Sequence, residues 1–424
     1  MLGSSPALKG KKLLIFDDGL ASKDGHWFEY DKAIAMGHHQ LGIDVTVASH
    51  KDFQFGNEFA EVGALVRPEI TASTWNGWVP ARGTYAGMAA KSKLLAPLIE
   101  WNGILQQARH HAEVLEKLLA EQVYDCVLHP TALAADFMAW SYVPARLRAR
   151  AGRIVLSTWL PLGTYSSSGS PTFARKLAYW KWIARRLGSE FASGRMVLLV
   201  DSKRLAGEYL KIAGLESELV SSPRSVTQFV PDGPPRQTSL VFGSLGAARW
   251  EKGIDLFESA IEAVLVEGEA RDLRFVIQRN RVVTGPDERP LPLPPWLIES
   301  ARVTYLKDIL TSQDYNRSLA DIDCMVLPYR RQMYHSRSSA VAIEAACAGI
   351  PMIYTDDTWL SDFVAEQGAG IAIADDDSAA LARAIREMAD QFPAFRAKAV
   401  ERAAIARERN SPQRYVRTVW GLTQ

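Results

Sequence analysis

Residues 338–349 combine small side chains, two serines and one carboxylate in an order that suits anion binding. Ser338 and Ser339 are good helix N-caps, and Gly349 is typical of a helix end. The N–H groups and dipole of a helix start bind anions such as a diphosphate. Glu344 lies inside this predicted helix, where side chains lean toward the N-terminus, so its carboxylate can reach the same ligand. The alternative is a core helix with a solvated glutamate.

Basic residues precede this helix and also follow an earlier predicted strand. Arg330, Arg331 and Arg337 come before the helix, and their planar guanidinium groups match phosphate oxygens. Arg249 and Lys252 lie in a glycine-rich loop after a strand, and the next helix is predicted to start near Lys252. A loop arginine and lysine are more often only solvated, but this loop belongs to the same predicted domain as the first segment. Together the two segments predict a phosphate-binding site.

The glycines of that loop do not form a dinucleotide-binding fingerprint. Gly243 and Gly246 give only G-x-x-G, and the strand at 273–278 ends without the acidic residue that binds a ribose in that fold. The pattern argues against a nicotinamide-dependent dehydrogenase, and no cofactor is predicted.

Two domains are needed to position these residues. Short apolar runs alternate with helical patterns along all 424 residues, which predicts parallel sheets covered by helices on both faces. The fold class is therefore α/β, with two Rossmann-like, doubly wound domains facing a central cleft. A Pro- and Ser-rich stretch, 221–239, lacks helical periodicity. We predict domains at 1–225 and 239–408, joined by a linker at 226–238.

Polar residues of the first domain also follow predicted strands, where doubly wound sheets bind ligands. His129 comes directly after a strand and is a candidate catalytic residue. Gly25 lets the backbone approach a phosphate closely, and His26 is a candidate ligand contact or base. A packed or solvated histidine is the alternative in both cases. Asp17 and Asp18 lie in the same loop as Gly25 and rank below these residues as functional candidates.

The composition argues against several classes of protein. The net charge is +1, so no overall field favours nucleic acid as a partner. The three cysteines share no disulfide or metal-binding spacing, as expected for reduced thiols in the cytoplasm. No apolar run reaches the roughly 18 residues of a membrane-spanning helix, and we expect no signal peptide.

A basic segment and two acidic motifs remain. Residues 174–195 mix basic and aromatic residues, as do helices that lie on anionic membranes, although an ordinary amphipathic helix is favoured. The aspartates at 321–323 precede a strand instead of following one, and those at 375–377 are expected to cap a helix. We predict no catalytic metal.

The segment "RSSAVAIEAACAGIPMIYTDDTWLSDFV" (337–364) resembles the donor-binding signature of retaining glycosyltransferase family 4, whose members have the GT-B fold. The segment "GSLGAARWEKGIDLF" (243–257) is similar to that family's Gly-Arg and Lys-Gly segment, and "SLADIDCMVLPY" resembles the strand before the signature. The resemblance covers most of the second half and is looser in the first. Residues 409–424 resemble the family's last helix, which implies that they cross back to the first domain.

The resemblance implies roles for individual residues. Glu344 matches the acid that holds the donor ribose, and Lys252 matches the lysine that contacts the diphosphate. Ser338 and Ser339 match the phosphate contacts. Ser336 stands eight residues before Glu344, where the family has the first acid of the pair, and either His335 or Ser336 is expected to meet the sugar.

Other donor residues depart from the family or fit it loosely. Ser244 follows Gly243 where the family has an arginine, so Arg249 is expected to substitute for it. Arg249, Gly243 and Arg337 complete the expected donor site. His129 matches a histidine that the family often has near the reacting sugar, and it is expected to orient the donor sugar or the acceptor hydroxyl. Gly25 and His26 are then expected on the acceptor side, His26 as a contact or base.

The implied enzyme is a glycosyltransferase of the hexosyltransferase type, metal-independent and retaining. It would move a sugar from a nucleotide-sugar to a hydroxyl of a glycan, glycolipid or small molecule, as in polysaccharide biosynthesis. We expect a cytoplasmic protein. Peripheral membrane contact through 174–195 stays open, and so does the oligomeric state. The alternatives are a sugar-nucleotide epimerase of the same fold and an inactive nucleotide-sugar-binding protein.

Overall fold

The computed structural model divides into two compact units. The first unit comprises residues 1–224 and 411–424, and the second comprises 225–410. The residues that the structure describes are 8–23, 26–71, 96–162, 171–224, 239–266, 272–285, 287 and 289–422. Gly25 and the predicted linker, 226–238, lie outside them.

A parallel sheet organises the first unit. Its strands are β1 (Lys12–Phe16), β2 (Asp44–His50), β3 (Ala64–Ile70), β4 (Tyr124–His129), β5 (Ala151–Thr158), β6 (Met196–Val200) and β7 (Glu218–Leu219). Their order is β3-β2-β1-β4-β5-β6-β7. The inner strands are nearly continuous apolar runs because helices cover both faces. The strand order reverses between β1 and β4, the place where such sheets bind ligands.

The helices of the first unit include one from the end of the chain. They are α1 (His26–His39), α2 (Ala96–Glu121), α3 (Ala134–Tyr142), α4 (Ala145–Arg148), α5 (Pro171–Ala192), α6 (Lys203–Ala213) and, after the second unit, α15 (Pro412–Val419). Tyr415 of α15 meets Tyr30 of α1 edge-on, with ring centroids 6.2 Å apart. A Cβ on Gly37 would lie 2.8 Å from that of Pro412, so a larger residue would push α15 away.

A second parallel sheet organises the second unit. Its strands are β8 (Leu240–Ser244), β9 (Leu273–Gln278), β10 (Val303–Leu306), β11 (Cys324–Leu327), β12 (Met352–Thr355) and β13 (Gly370–Ile373). Their order is β10-β9-β8-β11-β12-β13, so the switch point lies between β8 and β11.

Helices cover both faces of this sheet as well. They are α7 (Ile254–Val266), α8 (Pro295–Glu299), α9 (Ser312–Ala320), α10 (Arg331–Tyr334), α11 (Ala340–Cys347), α12 (Trp359–Gln367), α13 (Ser378–Asp390) and α14 (Phe392–Arg409). One apolar cluster packs α7 and α13 on the sheet, and another packs α11 and α12 on its other face. The predicted α/β class with two doubly wound sheets is confirmed.

Candidate active site

Two chain segments meet at the switch point of the second unit. The glycine loop, which we define as residues 245–253, follows β8, and α11 follows the paired neighbour β11. A Cβ added to Gly246 would lie 3.4 Å from Cγ2 of Val341, in the first turn of α11. The glycine loop therefore lies against the N-terminus of the helix that carries Glu344.

The ends of α11 follow from local chemistry. Ser339 is the N-cap, and its Oγ accepts a 3.3 Å hydrogen bond from the backbone N–H of Ala342. Gly349 follows the helix with a φ of +68°, a conformation that glycine adopts without strain. Both predicted ends are confirmed. The cap occupies one first-turn N–H group, and the helix dipole makes this end favourable for an anion.

Lys252 is the main cation of the glycine loop. A Cβ on Gly246 would lie 2.8 Å from its Nζ, so the ammonium group lies close against the backbone of this glycine. The Nζ also lies 5.8 Å from the ring centroid of Tyr329. Burial, reinforced by the nearby charges of Arg249 and Arg337, lowers the pKa of Lys252 to about 7. Among the described residues this ammonium forms no ion pair, which suits a site that receives an anion.

The helix after the glycine loop starts later than predicted. Residues 250–252 form a 3₁₀ turn, and α7 begins at Ile254 instead of near Lys252. Gly253 separates the two with a φ of +65°, and its missing side chain lets the carbonyl of Pro328 approach closely. The close contact with the end of β11 therefore breaks the helix and fixes Lys252 in a loop.

Arg330 is not available to a phosphate, so that interpretation was wrong. Its guanidinium bonds both carboxylate oxygens of Asp255 at 2.9 and 2.7 Å and Oδ1 of Asp376 at 3.1 Å. It also donates to the carbonyl of Trp250 and lies 4.0 Å from the centroid of that ring. Because Asp255 and Trp250 flank Lys252, Arg330 anchors the glycine loop to the end of β11.

The other two arginines differ in their surroundings. Nε of Arg331 lies 3.7 Å from Oδ2 of Asp357, so this guanidinium faces a carboxylate. Arg337 lies over the ring of Tyr334, 5.2 Å from its centroid, and its charge acts on Lys252. Of Arg330, Arg331 and Arg337, it is therefore Arg337 whose positive charge acts at the switch point.

Glu344 is held by a residue that the sequence did not single out. The hydroxyl of Tyr315, on α9, donates a 2.6 Å hydrogen bond to Oε2 of Glu344. No local pattern pairs these residues, because 29 positions separate them.

Gln278 and Asn280 were also missed. The backbone N–H of Gly246 donates to Oε1 of Gln278 at 2.7 Å, and Nε2 of Gln278 donates to the carbonyl of Asp308 at 3.3 Å. The N–H of Ala248 donates to Oδ1 of Asn280 at 3.4 Å. The end of β9 therefore fixes the start of the glycine loop while Arg330 fixes its end.

Four predicted donor residues lie near this site in different settings. Ser336 is buried beside α11, and Ser338 lies just before the N-cap. Gly243 lies inside β8, where its missing side chain makes room for Ile322. Arg249 precedes the 3₁₀ turn, with Nη1 3.4 Å from Oε1 of Glu251. Their donor roles stay predictions.

Comparison with known proteins identifies the second unit. Residues 236–391 match the family described as "Glycosyl transferases group 1". This stretch is a glycosyl transferases group 1 domain. No curated protein matches the whole sequence significantly.

Solved structures share the fold of this glycosyltransferase over nearly its whole length. Sucrose-phosphate synthase from Thermosynechococcus elongatus is 14% identical with a TM-score of 0.63, covering 97% of this chain and 98% of that one. A glycosyltransferase from Rickettsia africae is 12% identical with a TM-score of 0.63, covering 97% of each chain. HepE of Anabaena, solved with UDP and glucose, is 14% identical with a TM-score of 0.60, covering 97% and 99%. The GT-B fold is therefore confirmed, while membership in family 4 stays a prediction.

In the first unit of the glycosyltransferase, His129 is buried in a hydrogen-bonded group. Its Nδ1 lies 3.2 Å from Oδ1 of Asp136, and its Nε2 accepts a 3.1 Å bond from Nε1 of Trp140. Asp136 also bonds His111 at 3.1 Å. Burial acts to raise the pKa of Asp136, but the bonds from both histidines outweigh it and hold that pKa below its ordinary value. Both ring nitrogens of His129 are therefore engaged, and its catalytic role stays a prediction.

The remaining candidates of the first unit are only partly described. His26 is the first residue of α1. Gly25 lies outside the described residues. Their acceptor-side roles stay predictions.

A buried carboxyl pair lies at the end of β1. Asp17 accepts bonds from the N–H of Gly19 at 2.7 Å and the hydroxyl of Thr131 at 3.1 Å, and it lies against Asp31 of α1. Burial and the charge of Asp18 raise the pKa of Asp17 to about 8. Burial, followed by the charge of Asp17, raises the pKa of Asp31 well above its ordinary value. The pair therefore keeps a proton at neutral pH.

This pair makes the enzyme less stable as pH rises. Between about pH 4 and pH 8 the folded pair holds a proton that the unfolded chain has lost, so the free energy of unfolding falls by up to about 1.4 kcal/mol per pH unit. We expect the double variant Asp17→Asn, Asp31→Asn to flatten this slope in urea unfolding measured from pH 5 to 8. Asp44→Asn, at an exposed aspartate of the same unit, should keep it. An unchanged slope in the double variant would contradict the retained proton.

The membrane and metal predictions concern other parts of the chain. Among the described residues, no helix is long and apolar enough to cross a membrane. In α5, Trp180 is buried in the core, while Lys181, Arg185 and Arg186 are exposed. Within the described ranges, no group of three or more His, Cys, Asp or Glu side chains is arranged to hold a metal. Asp377 caps α13 through a 2.7 Å bond from the N–H of Ala380, as predicted.

Proposed function

We propose that this glycosyltransferase moves a sugar from a nucleotide-sugar donor to a hydroxyl acceptor, with retention of configuration and without a metal or other cofactor. The observation that supports the proposal is the meeting of Lys252, Gly246 and the N-terminus of α11 at one switch point. A diphosphate placed there would contact an ammonium group, a helix start and close backbone at the same time.

The donor is proposed to be a nucleoside diphosphate sugar. Glu344 presents a carboxylate on α11, and a carboxylate can accept hydrogen bonds from both hydroxyls of a ribose. The Anabaena relative has been solved in complex with UDP-glucose, which makes uridine donors the first to test.

Departure of the nucleoside diphosphate needs stabilisation of its developing charge. Lys252, Arg337 and the N-terminus of α11 would supply it, which is the electrostatic contribution a metal makes in other enzymes. The C1–O bond to the diphosphate breaks as the acceptor oxygen bonds C1 from the same face. A phosphate oxygen of the leaving group takes the acceptor proton. This step needs no carboxylate nucleophile, in keeping with Ser336 at the position of the family's first acid.

The acceptor side and the location of the enzyme are part of the proposal as well. Gly25 and His26 are proposed to contact the acceptor, and His129 to orient a reactant. We propose a cytoplasmic enzyme whose α5 brings Lys181, Arg185 and Arg186 to an anionic surface, since these three side chains are exposed. A lipid-linked acceptor would suit such contact.

Release of nucleoside diphosphate tests the proposal. The purified chain is incubated with UDP-, GDP- and ADP-sugars and with sugar and lipid-linked acceptors, with and without EDTA, and the anomeric configuration of any product is read by NMR. We expect acceptor-dependent release that EDTA does not abolish, and a retained anomer. Donor conversion without an acceptor would indicate an epimerase instead. Donor binding without turnover would indicate an inactive binding protein, and neither binding nor turnover would overturn the proposal.

A further inference from the structure

One hydrogen bond ties Glu344 to a different helix of the second unit. The phenol of Tyr315, on α9, donates to Oε2 of Glu344 at 2.6 Å. This distance falls in the range of hydrogen bonds from a hydroxyl to an ionised carboxylate, which are about twice as strong as neutral ones. The phenol therefore favours the charged carboxylate and restricts its rotation.

Tyr315 is itself held in place from two sides. Its backbone N–H donates to the carbonyl of Thr311 at 2.8 Å, and the Oγ1 of that residue caps α9 by accepting from Asp314. Its ring packs on the apolar cluster that includes Val341 and Ile343 of α11. The ring is therefore held by packing on the cluster to which α11 contributes, and its hydroxyl reaches the carboxylate of Glu344.

We propose that Tyr315 is a positioning residue that sets the preference of the donor site for a ribose. This inference rests on the proposed function, in which Glu344 accepts hydrogen bonds from the ribose hydroxyls. A carboxylate that rotates freely must be ordered when it binds two hydroxyls, and that ordering weakens binding. A carboxylate held by Tyr315 is already oriented, so affinity is gained only with ligands that carry the hydroxyls.

The competing explanation is that the bond only ties α9 to α11. Both explanations predict some loss of stability when the hydroxyl is removed. They differ in ligand dependence, because a structural tie would change the affinity for every nucleotide alike. A nucleotide without ribose hydroxyls therefore separates them.

The test compares UDP, GDP and ADP with their 2′,3′-dideoxy counterparts by calorimetry on the full chain. The variants are Tyr315→Phe, Glu344→Gln and the double variant. The control is Tyr305→Phe, which removes a similar phenol–carboxylate bond, to Glu258 at 3.3 Å, elsewhere in the unit. We expect Tyr315→Phe to weaken the ribonucleotide that binds best by about tenfold. The affinity of this variant for the dideoxy nucleotide should stay within about twofold of the wild-type value. Tyr305→Phe should bind both the ribonucleotide and the dideoxy nucleotide within about twofold of the wild type.

The outcomes separate the inference from the function beneath it. The double variant should bind the ribonucleotide no more weakly than Glu344→Gln alone, since Tyr315 acts through Glu344. Equal losses for ribose and dideoxy nucleotides in Tyr315→Phe, or no loss, would overturn the inference and leave the proposed function standing. If the folded wild type binds none of the three ribonucleotides, the proposed function and the inference both fail.

Discussion

Replacing Lys252 with methionine is expected to lower turnover by about 100- to 1,000-fold, the loss typical of removing one group that stabilises developing charge. Methionine keeps most of the apolar stem, while the ammonium that lies near the Tyr329 ring and Gly246 disappears. Because that ammonium is proposed to contact the diphosphate in donor and leaving group alike, the affinity for nucleoside diphosphate should fall as well.

A matched variant and the pH dependence make this test specific. Lys398→Met removes a lysine from the exposed surface of α14 and should leave turnover and affinity unchanged. The pKa of Lys252 is about 7 in the free enzyme, and a bound anion would raise it. Nucleoside diphosphate affinity should therefore fall above pH 7, approaching tenfold per pH unit. This loss should be absent in Lys252→Met. A pH dependence that is the same in both proteins would show that another group controls binding.

Local chemistry explains what the sequence predicted well. The strands of both sheets are short apolar runs between helical patterns, so their order along the chain was predictable from periodicity. The same holds for the ends of α11, where Ser339 caps the start and Gly349 follows the end. These signals are carried by residues within a few positions of each other, and tertiary contacts did not override them.

Contacts between distant residues explain what was missed. Arg330 follows a strand, where a guanidinium can serve a ligand or the protein. Its partners Asp255 and Asp376 are 75 and 46 positions away, so no local pattern indicated them. Tyr315 and Glu344 are also far apart along the chain and come together only in the folded unit, so their hydrogen bond was missed for the same reason. The start of α7 was predicted too early because Pro328 approaches Gly253 only once the sheet has formed.

Removing the guanidinium of Arg330 is expected to destabilise the second unit rather than remove a ligand contact. Arg330 is buried, whereas Asp255 is partly exposed and Asp376 largely exposed. The cost for Arg330→Met should therefore be about 2 kcal/mol, below the 3–5 kcal/mol seen when a fully buried pair is broken. Urea unfolding measures this loss. Turnover should fall as well, because the turn that carries Lys252 is released from the end of β11.

Two further variants separate an anchor from a ligand. Arg317→Met breaks an exposed pair with Asp314 in the same unit and should cost less than about 1 kcal/mol. Asp255→Asn in the Arg330→Met background removes one carboxylate left without its partner and should restore part of the stability. If Arg330 instead bound a phosphate of the donor, its substitution would lower nucleotide affinity and leave the stability unchanged. If Arg330→Met unfolds like the wild type but loses as much nucleotide affinity as Lys252→Met, Arg330 contacts the donor and the anchoring role is wrong.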